Sequence, residues 1–144
     1  MTTIRVLEQQ LLAPVMQYLR DLGCEAVVAE LPFFDRGIDI YAVKRGPRAS
    51  AYAVELKIRD WQKALRQAAI YQLCCDYSYV ALPPNAACRV DIELFKQCGI
   101  GLLSVERDES VTVILKAKKS IEQRAYYIRK FKRLVLKDAS NGTK

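Results

Sequence analysis

The sequence predicts an α/β domain built on a mixed β-sheet, and two observations lead to this prediction. Along the chain, short apolar segments with period-two alternation are interspersed with longer segments whose apolar residues have helical spacing. The helical pattern over residues 61–75 is long enough for a crossover between parallel strands, whereas residues 37–59 have the pattern of an antiparallel hairpin. At 144 residues, the chain has the size of one domain.

The first half of the chain predicts a helix, three strands and a second helix. Apolar residues at helical spacing predict a helix over 5–22, which Pro14 bends or delays and Gly23 ends. Asp60 can cap the second helix, which covers 61–75 and is amphipathic. The three strands are EAVVAEL (25–31), GIDIYAVK (37–44) and SAYAVELKIR (50–59), with loops LPFFDRG and RGPRA between them.

The second half predicts a strand, a helix, a hairpin and a final helix. YSYVAL (77–82) reads as a strand, and residues 86–98 as a helix that Gly99 ends. The hairpin consists of IGLLSV (100–105) and VTVILK (111–116) around the turn ERDES. Ser120 followed by Gln123 has the spacing of a capping box, which predicts a final helix over 121–137. The predicted apolar stripe of this helix consists of Ile121, Ala125, Ile128, Phe131 and Val135.

Positive charge is concentrated at the C-terminal end. From Lys116 to Lys144 there are ten basic and two acidic residues, whereas residues 1–115 hold 13 basic and 14 acidic residues. The whole chain has a net charge of +7. A near-neutral body with a basic end favours a polyanionic partner, most often nucleic acid, although a solvated helix face gives the same pattern.

Composition also excludes several classes of site. The chain contains no histidine, which excludes a Ser-His-Asp triad, a Cys-His pair and histidine zinc sites. The five cysteines lack CxxC spacing, which indicates reduced packing residues. Neither an apolar run of membrane-spanning length nor a leader pattern is present, and we expect a cytoplasmic protein without a membrane partner. Enzymatic chemistry would therefore depend on carboxylates, lysine and water.

The hydrophobic pattern places two carboxylates side by side. If residue 44 pairs with residue 50, Ile38 and Ile40 lie on the core face and Asp39 stands beside Glu55. A shift by one residue would bury Asp39 and expose the isoleucines. Lys57 shares the face of Glu55, and because alanines precede them on that face, we expect it to line a cleft.

Two adjacent carboxylates repel each other unless a proton or a cation lies between them. Mg²⁺ binds one or two carboxylates, keeps several waters and takes substrate phosphate as a further ligand. The backbone carbonyl of Leu56 could add a neutral ligand, and Lys57 could orient a water or balance charge on a phosphorane. These groups together suit phosphodiester hydrolysis. Taken singly, such charges on a strand are more often a solvated face.

Three segments, GIDI (37–40), VELK (54–57) and QAAIY (67–71), resemble the PD-(D/E)xK nuclease superfamily, including its RecB-type and Holliday-junction-resolvase-like members. The resemblance implies a restriction-endonuclease-like core of order α-β-β-β-α-β over residues 5–82, extended by the hairpin. It implies a nuclease-like domain over 1–118, with 119–144 as a basic helix and tail of the same compact unit. Ile38 stands where the motif has proline.

The resemblance also implies roles for individual residues. Asp39 and Glu55 match the metal-binding carboxylates, and Lys57 matches the catalytic lysine. Gln67 and Tyr71 match the Q-x-x-x-Y element of RecB-type members and share one helix face, from which they could contact the catalytic lysine or the nucleic-acid backbone. We count Gln67 among the catalytic residues. Many members use a third carboxylate from the first helix; Glu8 is our candidate for it, and Glu30 is the rival.

From these residues we expect a Mg²⁺- or Mn²⁺-dependent endonuclease that acts on DNA. The alternative is a non-catalytic nucleic-acid-binding or assembly subunit with the same fold, and a plain structural domain ranks third. A homodimer or a protein partner could supply specificity, since no helix-turn-helix or zinc finger is present. The predicted nucleic-acid contacts are Arg36, Lys63, Arg66, Tyr71, Arg124, Arg129, Lys130, Lys132 and Arg133.

Overall fold

A six-stranded mixed β-sheet, with its strands in the order of the sequence, organises the molecule. The computed structural model describes the backbone of residues 2–142 and the side chains of residues 8–138, so the end of the predicted tail lies outside the described residues. In chain order the elements are α1 (Thr2–Asp21), β1 (Ala26–Phe33), β2 (Arg36–Lys44), β3 (Ser50–Leu56), α2 (Trp61–Tyr71), β4 (Tyr77–Leu82), α3 (Pro84–Ala87), α4 (Ile92–Cys98), β5 (Gly101–Val105), β6 (Val111–Leu115) and α5 (Ala125–Gly142).

The strand pairing confirms the predicted α/β class. β1, β2 and β3 form an antiparallel meander. β3, β4 and β5 are parallel, which requires crossover connections, and these are supplied by α2 and by α3 with α4. β6 returns antiparallel to β5 and forms one edge of the sheet, while β1 forms the other. The predicted hairpin register is also confirmed, since Lys44 pairs with Ser50 and Ile40 pairs with Val54.

Several predicted boundaries are wrong. β1 continues through Phe33, so much of the predicted loop LPFFDRG is strand. β3 ends at Leu56, three residues early, and α2 ends at Tyr71. The predicted helix over 86–98 is two short helices, of which the second is capped by Asp91 and ends at Gly99 in the left-handed conformation.

The final helix starts four residues later than predicted because the predicted capping box does not form. The Ser120 hydroxyl donates to the Gln72 carbonyl at 2.8 Å, and the Gln123 amide donates to the carboxylate of Asp76 at 2.7 Å. Both side chains thus hold the segment before α5 against the end of α2. Two residues of the predicted apolar stripe are exposed, Ala125 and Ile121, the latter by 93%, whereas Ile128, Phe131 and Val135 are buried as predicted.

Both faces of the central strands are buried. On one side, α1 packs Leu11, Val15 and Leu19 onto Ile40 and Val54. On the other side, α2 and α5 cover the sheet, and the residues in this cluster include Ala51, Ala53, Tyr71, Phe131 and Val135. The predicted alanine-lined cleft is therefore wrong: Ala51 and Ala53 are 0% exposed beneath the helices. Ile38 also packs in this second cluster, and not with Ile40 as predicted.

Lys132 fixes α5 to the sheet. Its ammonium lies 3.1 Å from the Asp76 carboxylate and donates to the Ala49 carbonyl at 2.5 Å. Asp76 is 5% exposed and also accepts from the Ala51 amide. A buried carboxylate needs such partners, because desolvation would otherwise make its charge costly. Lys132, predicted to contact nucleic acid, is therefore engaged in a structural ion pair.

All five cysteines are free thiols, and Cys24, Cys74 and Cys75 are buried, as expected for packing residues. Cys98 is half-buried, and Cys88 is exposed, so the prediction is wrong for Cys88. Within residues 2–142, no helix combines the length and apolar character needed to cross a membrane.

Candidate functional site

The site lies where β2 and β3 stop pairing through their backbones. The backbone ladder between β2 and β3 ends at Ile40 and Val54, and at the next step the side chain of Asp39 replaces a backbone partner. Its Oδ2 atom accepts a hydrogen bond from the Leu56 amide at 2.8 Å. This bond holds Asp39 at the end of β3, beside Glu55. The contact of Leu56 with the site is thus made by its N–H group, while the role of its carbonyl stays a prediction.

The carboxyl groups of Asp39 and Glu55 are hydrogen-bonded to each other, and Glu55 is only 7% exposed. Burial, followed by the charge of Asp39, raises the pKa of Glu55 to about 8. Burial also raises the pKa of Asp39, which the Leu56 amide partly opposes. Without a cation, the pair therefore holds a proton near neutral pH, and the protonated Glu55 donates to Asp39.

Tyr71 completes the contacts of Glu55. Its hydroxyl donates to Glu55 Oε1 at 2.5 Å and lies 3.1 Å from the carbonyl oxygen of Gly37. Because Tyr71 is 1% exposed, the prediction that it touches nucleic acid is wrong. Its burial has a sequence signal that we did not use: residues 64, 68 and 71 lie on one face of α2, and all three are buried.

Two further charges act on the pair. The ammonium of Lys57 lowers the pKa of both Asp39 and Glu55, and Lys57 is half-buried directly after β3. Glu30, on β1, raises the pKa of Asp39 and occupies the position opposite Asp39 in the β1–β2 register. Glu8 lies half-buried on α1, which packs on the opposite side of the sheet from Tyr71. Of the two rival third carboxylates, Glu30 is the one whose charge acts on Asp39.

Gln67 lies one helical turn before Tyr71 and carries an unsatisfied acceptor. Its Oε1 atom is buried, and no group within the described part of the chain hydrogen-bonds to it. Leaving a buried acceptor unpaired costs about 1–3 kcal/mol, so such atoms usually have a partner. A lysine ammonium or a bound water would satisfy it, which fits the predicted place of Gln67 beside the catalytic groups.

The donor set has the composition that Mg²⁺ prefers, but it is small. Among the side chains of residues 8–138, no three His, Cys, Asp or Glu groups lie close enough together to hold an ion. Two adjacent carboxylates nevertheless fit Mg²⁺, which completes its shell with water and substrate phosphate. Zn²⁺ fits poorly, since structural zinc sites use four protein ligands from cysteine and histidine.

Eight of the nine predicted nucleic-acid contacts are basic residues, and the structure separates them into groups. Arg36 starts β2 and pairs with Asp35 at 3.7 Å. Burial and then the charge of Glu55 raise the pKa of the Tyr71 hydroxyl, and the charge of Arg36 opposes this rise in part. Lys63 and Arg66 are exposed on α2. Lys132 forms the structural ion pair with Asp76. The remaining exposed cations are Arg124, Arg129, Lys130 and Arg133, which lie on α5 or just before it.

Two surface clefts lie near the carboxyl ends of β3 and β4, with volumes of about 840 and 400 Å³. Ile58 and Asn85 line both of them, and α1 contributes to the larger one. Neither is lined by Asp39 or Glu55. The carboxylate pair therefore lies outside these clefts, close to the hairpin between β1 and β2.

Comparisons with known proteins support the fold alone. No protein-family model matches the chain, and no curated protein matches it. A solved structure of a protein of unknown function from Silicibacter pomeroyi is similar to this chain, with 19% sequence identity and a TM-score of 0.67. The similarity covers 92% of this chain and 86% of the other. The α/β arrangement is thus shared with a protein whose printed description assigns no activity.

Proposed function

We propose that the chain is a Mg²⁺-dependent nuclease with a restriction-endonuclease-like core, which hydrolyses DNA phosphodiester bonds endonucleolytically. The observation that carries the proposal is the hydrogen-bonded pair of half-buried Asp39 and buried Glu55 at the point where two strands separate, with Lys57 beside it. The order of elements from α1 to β4, with three antiparallel strands followed by a parallel one, supports the same superfamily.

In this proposal, Asp39 and Glu55 would hold the cation together in place of the proton that they otherwise share. A bound Mg²⁺ would neutralise charge on the phosphate and lower the pKa of a coordinated water. The Leu56 amide keeps Asp39 in position, because one oxygen of that carboxylate is already bound to it. The Tyr71 hydroxyl does the same for Glu55, so both ligands are oriented before the substrate arrives.

In the proposed site, Lys57 supplies a positive charge in addition to that of the metal ion. Its charge already acts on both carboxyl groups, which places it close enough to stabilise charge that develops on a phosphate there. Gln67, with its unpaired oxygen, would orient the lysine ammonium or the attacking water. These two residues are therefore expected to affect the rate of hydrolysis more than the binding of the cation.

One observation favours a second candidate, a nucleic-acid-binding subunit without activity. A carboxyl group with a pKa of about 8 is mostly protonated at neutral pH, and the hydrogen bonds of Glu55 with Tyr71 and Asp39 are formed without any cation. In such a protein, the pair would serve as a buried structural network. Direct measurement of cation binding separates the two candidates.

The test is a cleavage assay on branched, single-stranded and duplex DNA with Mg²⁺ or Mn²⁺, run beside Asp39→Asn and Lys57→Ala. We expect metal-dependent cleavage by the parent chain. Asp39→Asn should lose both cleavage and Mn²⁺ binding, measured by titration calorimetry. Lys57→Ala should lose cleavage by a factor of about a hundred or more but keep Mn²⁺ binding, because the lysine is not a ligand.

Glu93→Gln is the matched control, since it removes an exposed carboxylate on α4. It should leave both measurements unchanged. Cleavage that survives Asp39→Asn and Lys57→Ala would refute this site. A parent chain that binds neither Mg²⁺ nor Mn²⁺ would favour the subunit without activity.

A further inference from the structure

Three aromatic side chains form an exposed surface at the end of the β1–β2 hairpin. Phe34, at the turn, is 63% exposed, and Tyr126, at the start of α5, is 69% exposed. Both rings contact the ring of Tyr127, with centroid distances of 5.5 and 5.4 Å. We call Phe34, Tyr126 and Tyr127 the aromatic patch. Large aromatic rings left in water are a costly arrangement unless a partner covers them.

Phe34 is held in an unusual backbone conformation. Its φ angle is +59°, in the left-handed region that bulky residues rarely adopt and that glycine would occupy at little cost. The Phe34 ring packs on the ring of Phe33, with a centroid distance of 4.5 Å, and on the ring of Tyr127. Phe33 and Phe131 are themselves buried. The ring is thus fixed before any partner binds, and such strain is often found at functional positions.

The aromatic patch is linked to the carboxylate pair through a short stretch of backbone and the Tyr71 hydroxyl. Phe34 is three residues before Gly37, whose carbonyl lies beside the Tyr71 hydroxyl that bonds Glu55. Three residues span at most about 11 Å, which is roughly three stacked nucleotides at about 3.4 Å each. Phe33, Tyr127 and Tyr71 belong to one packing cluster, so the patch and Tyr71 lie on the same side of the sheet.

Basic side chains surround the rings. The Lys130 ammonium lies 5.7 Å from the centre of the Tyr126 ring, within the range of a cation–π contact. Arg36 follows the turn, and Arg129 and Arg133 are exposed on α5. The acidic neighbour Asp35 is paired with Arg36. Aromatic rings interleaved with cations are the composition of single-strand nucleic-acid sites, where bases stack and phosphates meet positive charge.

We infer that the aromatic patch stacks the unpaired bases of a single-stranded nucleic-acid segment, so that the substrate of the proposed nuclease contains unpaired nucleotides beside the bond to be cleaved. This inference rests on the proposed function for the cleavage step. The binding step does not depend on it. An uninterrupted duplex keeps its bases stacked inside, and it would leave the rings without a partner.

The test measures affinity without cleavage, by fluorescence anisotropy in EDTA, for a labelled oligo-dT strand and for a duplex of the same length. Phe34→Ala and Tyr126→Ala should each bind the single strand about five- to a hundred-fold more weakly. Their affinity for the duplex should change by less than about twofold. Tyr126→Phe keeps the ring and should bind like the parent chain. Ile114→Ala, an exposed apolar residue on the opposite edge strand, is the matched control.

A stacking readout makes the result specific. A strand that contains 2-aminopurine should lose emission on binding the parent chain, and Phe34→Ala should restore that emission. Equal losses of single-strand and duplex affinity, or no loss of either, would overturn the inference. The inference would also be overturned if the parent chain formed a dimer that Phe34→Ala dissociates without changing the affinity for the single strand. The aromatic patch would then be an interface between two copies of the chain. Metal-dependent cleavage is measured separately, so the nuclease proposal can fail while this inference stands, and the reverse.

Discussion

Among individual residues, Glu55 occupies a position where a negative charge is costly. It lies under α2, in contact with Asp39 and Tyr71, and water reaches little of it. A carboxylate in such a place is stabilised by a proton or a cation, and the two compete for the same oxygens. The same side chain thus links the stability of the fold to pH and to the proposed metal.

The metal-free protein is predicted to become less stable as pH rises. The pKa of Glu55 is about 8 in the folded chain and near its ordinary value of 4.5 in the unfolded one, so the folded state binds more protons between these values. The stabilisation is complete below about pH 4.5 and is lost as pH approaches 8, with a slope of up to about 1.4 kcal/mol per pH unit. Asp39, whose pKa is also raised, acts in the same direction.

Urea unfolding in EDTA at several pH values between 5 and 9 measures this slope. Glu55→Gln, which cannot ionise, should remove most of it, and Mg²⁺ should stabilise the parent chain more at pH 8.5 than at pH 6. No histidine is present to titrate in this interval. A stability that is flat or rises with pH in the parent chain would show that Glu55 is charged in the fold.

At the scale of the element, α5 combines a structural and an exposed surface. Ile128, Phe131 and Val135 are buried, Lys132 binds Asp76, and Arg133 beside it is exposed. The sequence pattern predicted the apolar residues, because helical spacing defines them. It could not predict the role of Lys132, since Asp76 and Ala49 are distant in sequence and come under α5 only in the folded chain.

Lys132→Met is predicted to lower the free energy of unfolding by about 2–3 kcal/mol. The substitution leaves the buried Asp76 carboxylate without its cation, although the Ala51 amide and Gln123 still donate to it, and the ammonium is partly exposed. Urea unfolding measures the change. Arg133→Met, at the exposed neighbour, should stay within about 0.5 kcal/mol of the parent chain.

For DNA affinity, measured by fluorescence anisotropy, the larger loss should come from Arg133→Met and not from Lys132→Met. Arg133→Met should weaken affinity severalfold, whereas Lys132→Met, measured below its unfolding temperature, should bind like the parent chain. If Lys132→Met instead had normal stability and bound DNA more weakly, the predicted contact of Lys132 with nucleic acid would be supported.

For the whole molecule, we predict that DNA affinity depends on the cations of α5 and not on the net charge of the chain alone. Replacing Arg129, Lys130 and Arg133 together by glutamine should reduce the slope of log affinity against log salt by about 2 for single-stranded DNA and nearly 3 for duplex. The measurement is a salt titration of binding by anisotropy in EDTA. The matched control replaces three exposed cations elsewhere, and these are Arg89, Lys96 and Arg107. Equal effects of the two triple variants would indicate attraction by net charge alone.

The sequence allowed most of the sheet to be predicted and little of what covers it. The register of β2 and β3 was predictable because apolar alternation in both strands permits one alignment, with Ile40 opposite Val54. The packing of helices over Ala51 and Ala53 was not predictable, because small residues are compatible with a cleft wall and with a helix contact equally well. The capping box failed for a related reason: Ser120 and Gln123 found buried acceptors near the end of α2.

For the candidate site, the sequence predicted the neighbours but not their environment. Asp39 and Glu55 are adjacent because strand register brings them together, and Lys57 follows from alternation. The bond from Tyr71 to Glu55 depends on how α2 lies across the sheet. The surface of Phe34 depends on a turn in a segment that we predicted to be loop.

The burial of β3 on both faces also determines what natural variation could reveal. A change at Glu55 would disturb the contact with Tyr71 and the packing around it, so selection would oppose it whether or not the protein cleaves DNA. Packing constrains half-buried Lys57 and exposed Phe34 less than it constrains Glu55. Retention of these two residues in distant relatives would therefore reflect selection for chemistry and for base stacking, and their drift would indicate a scaffold that has lost both.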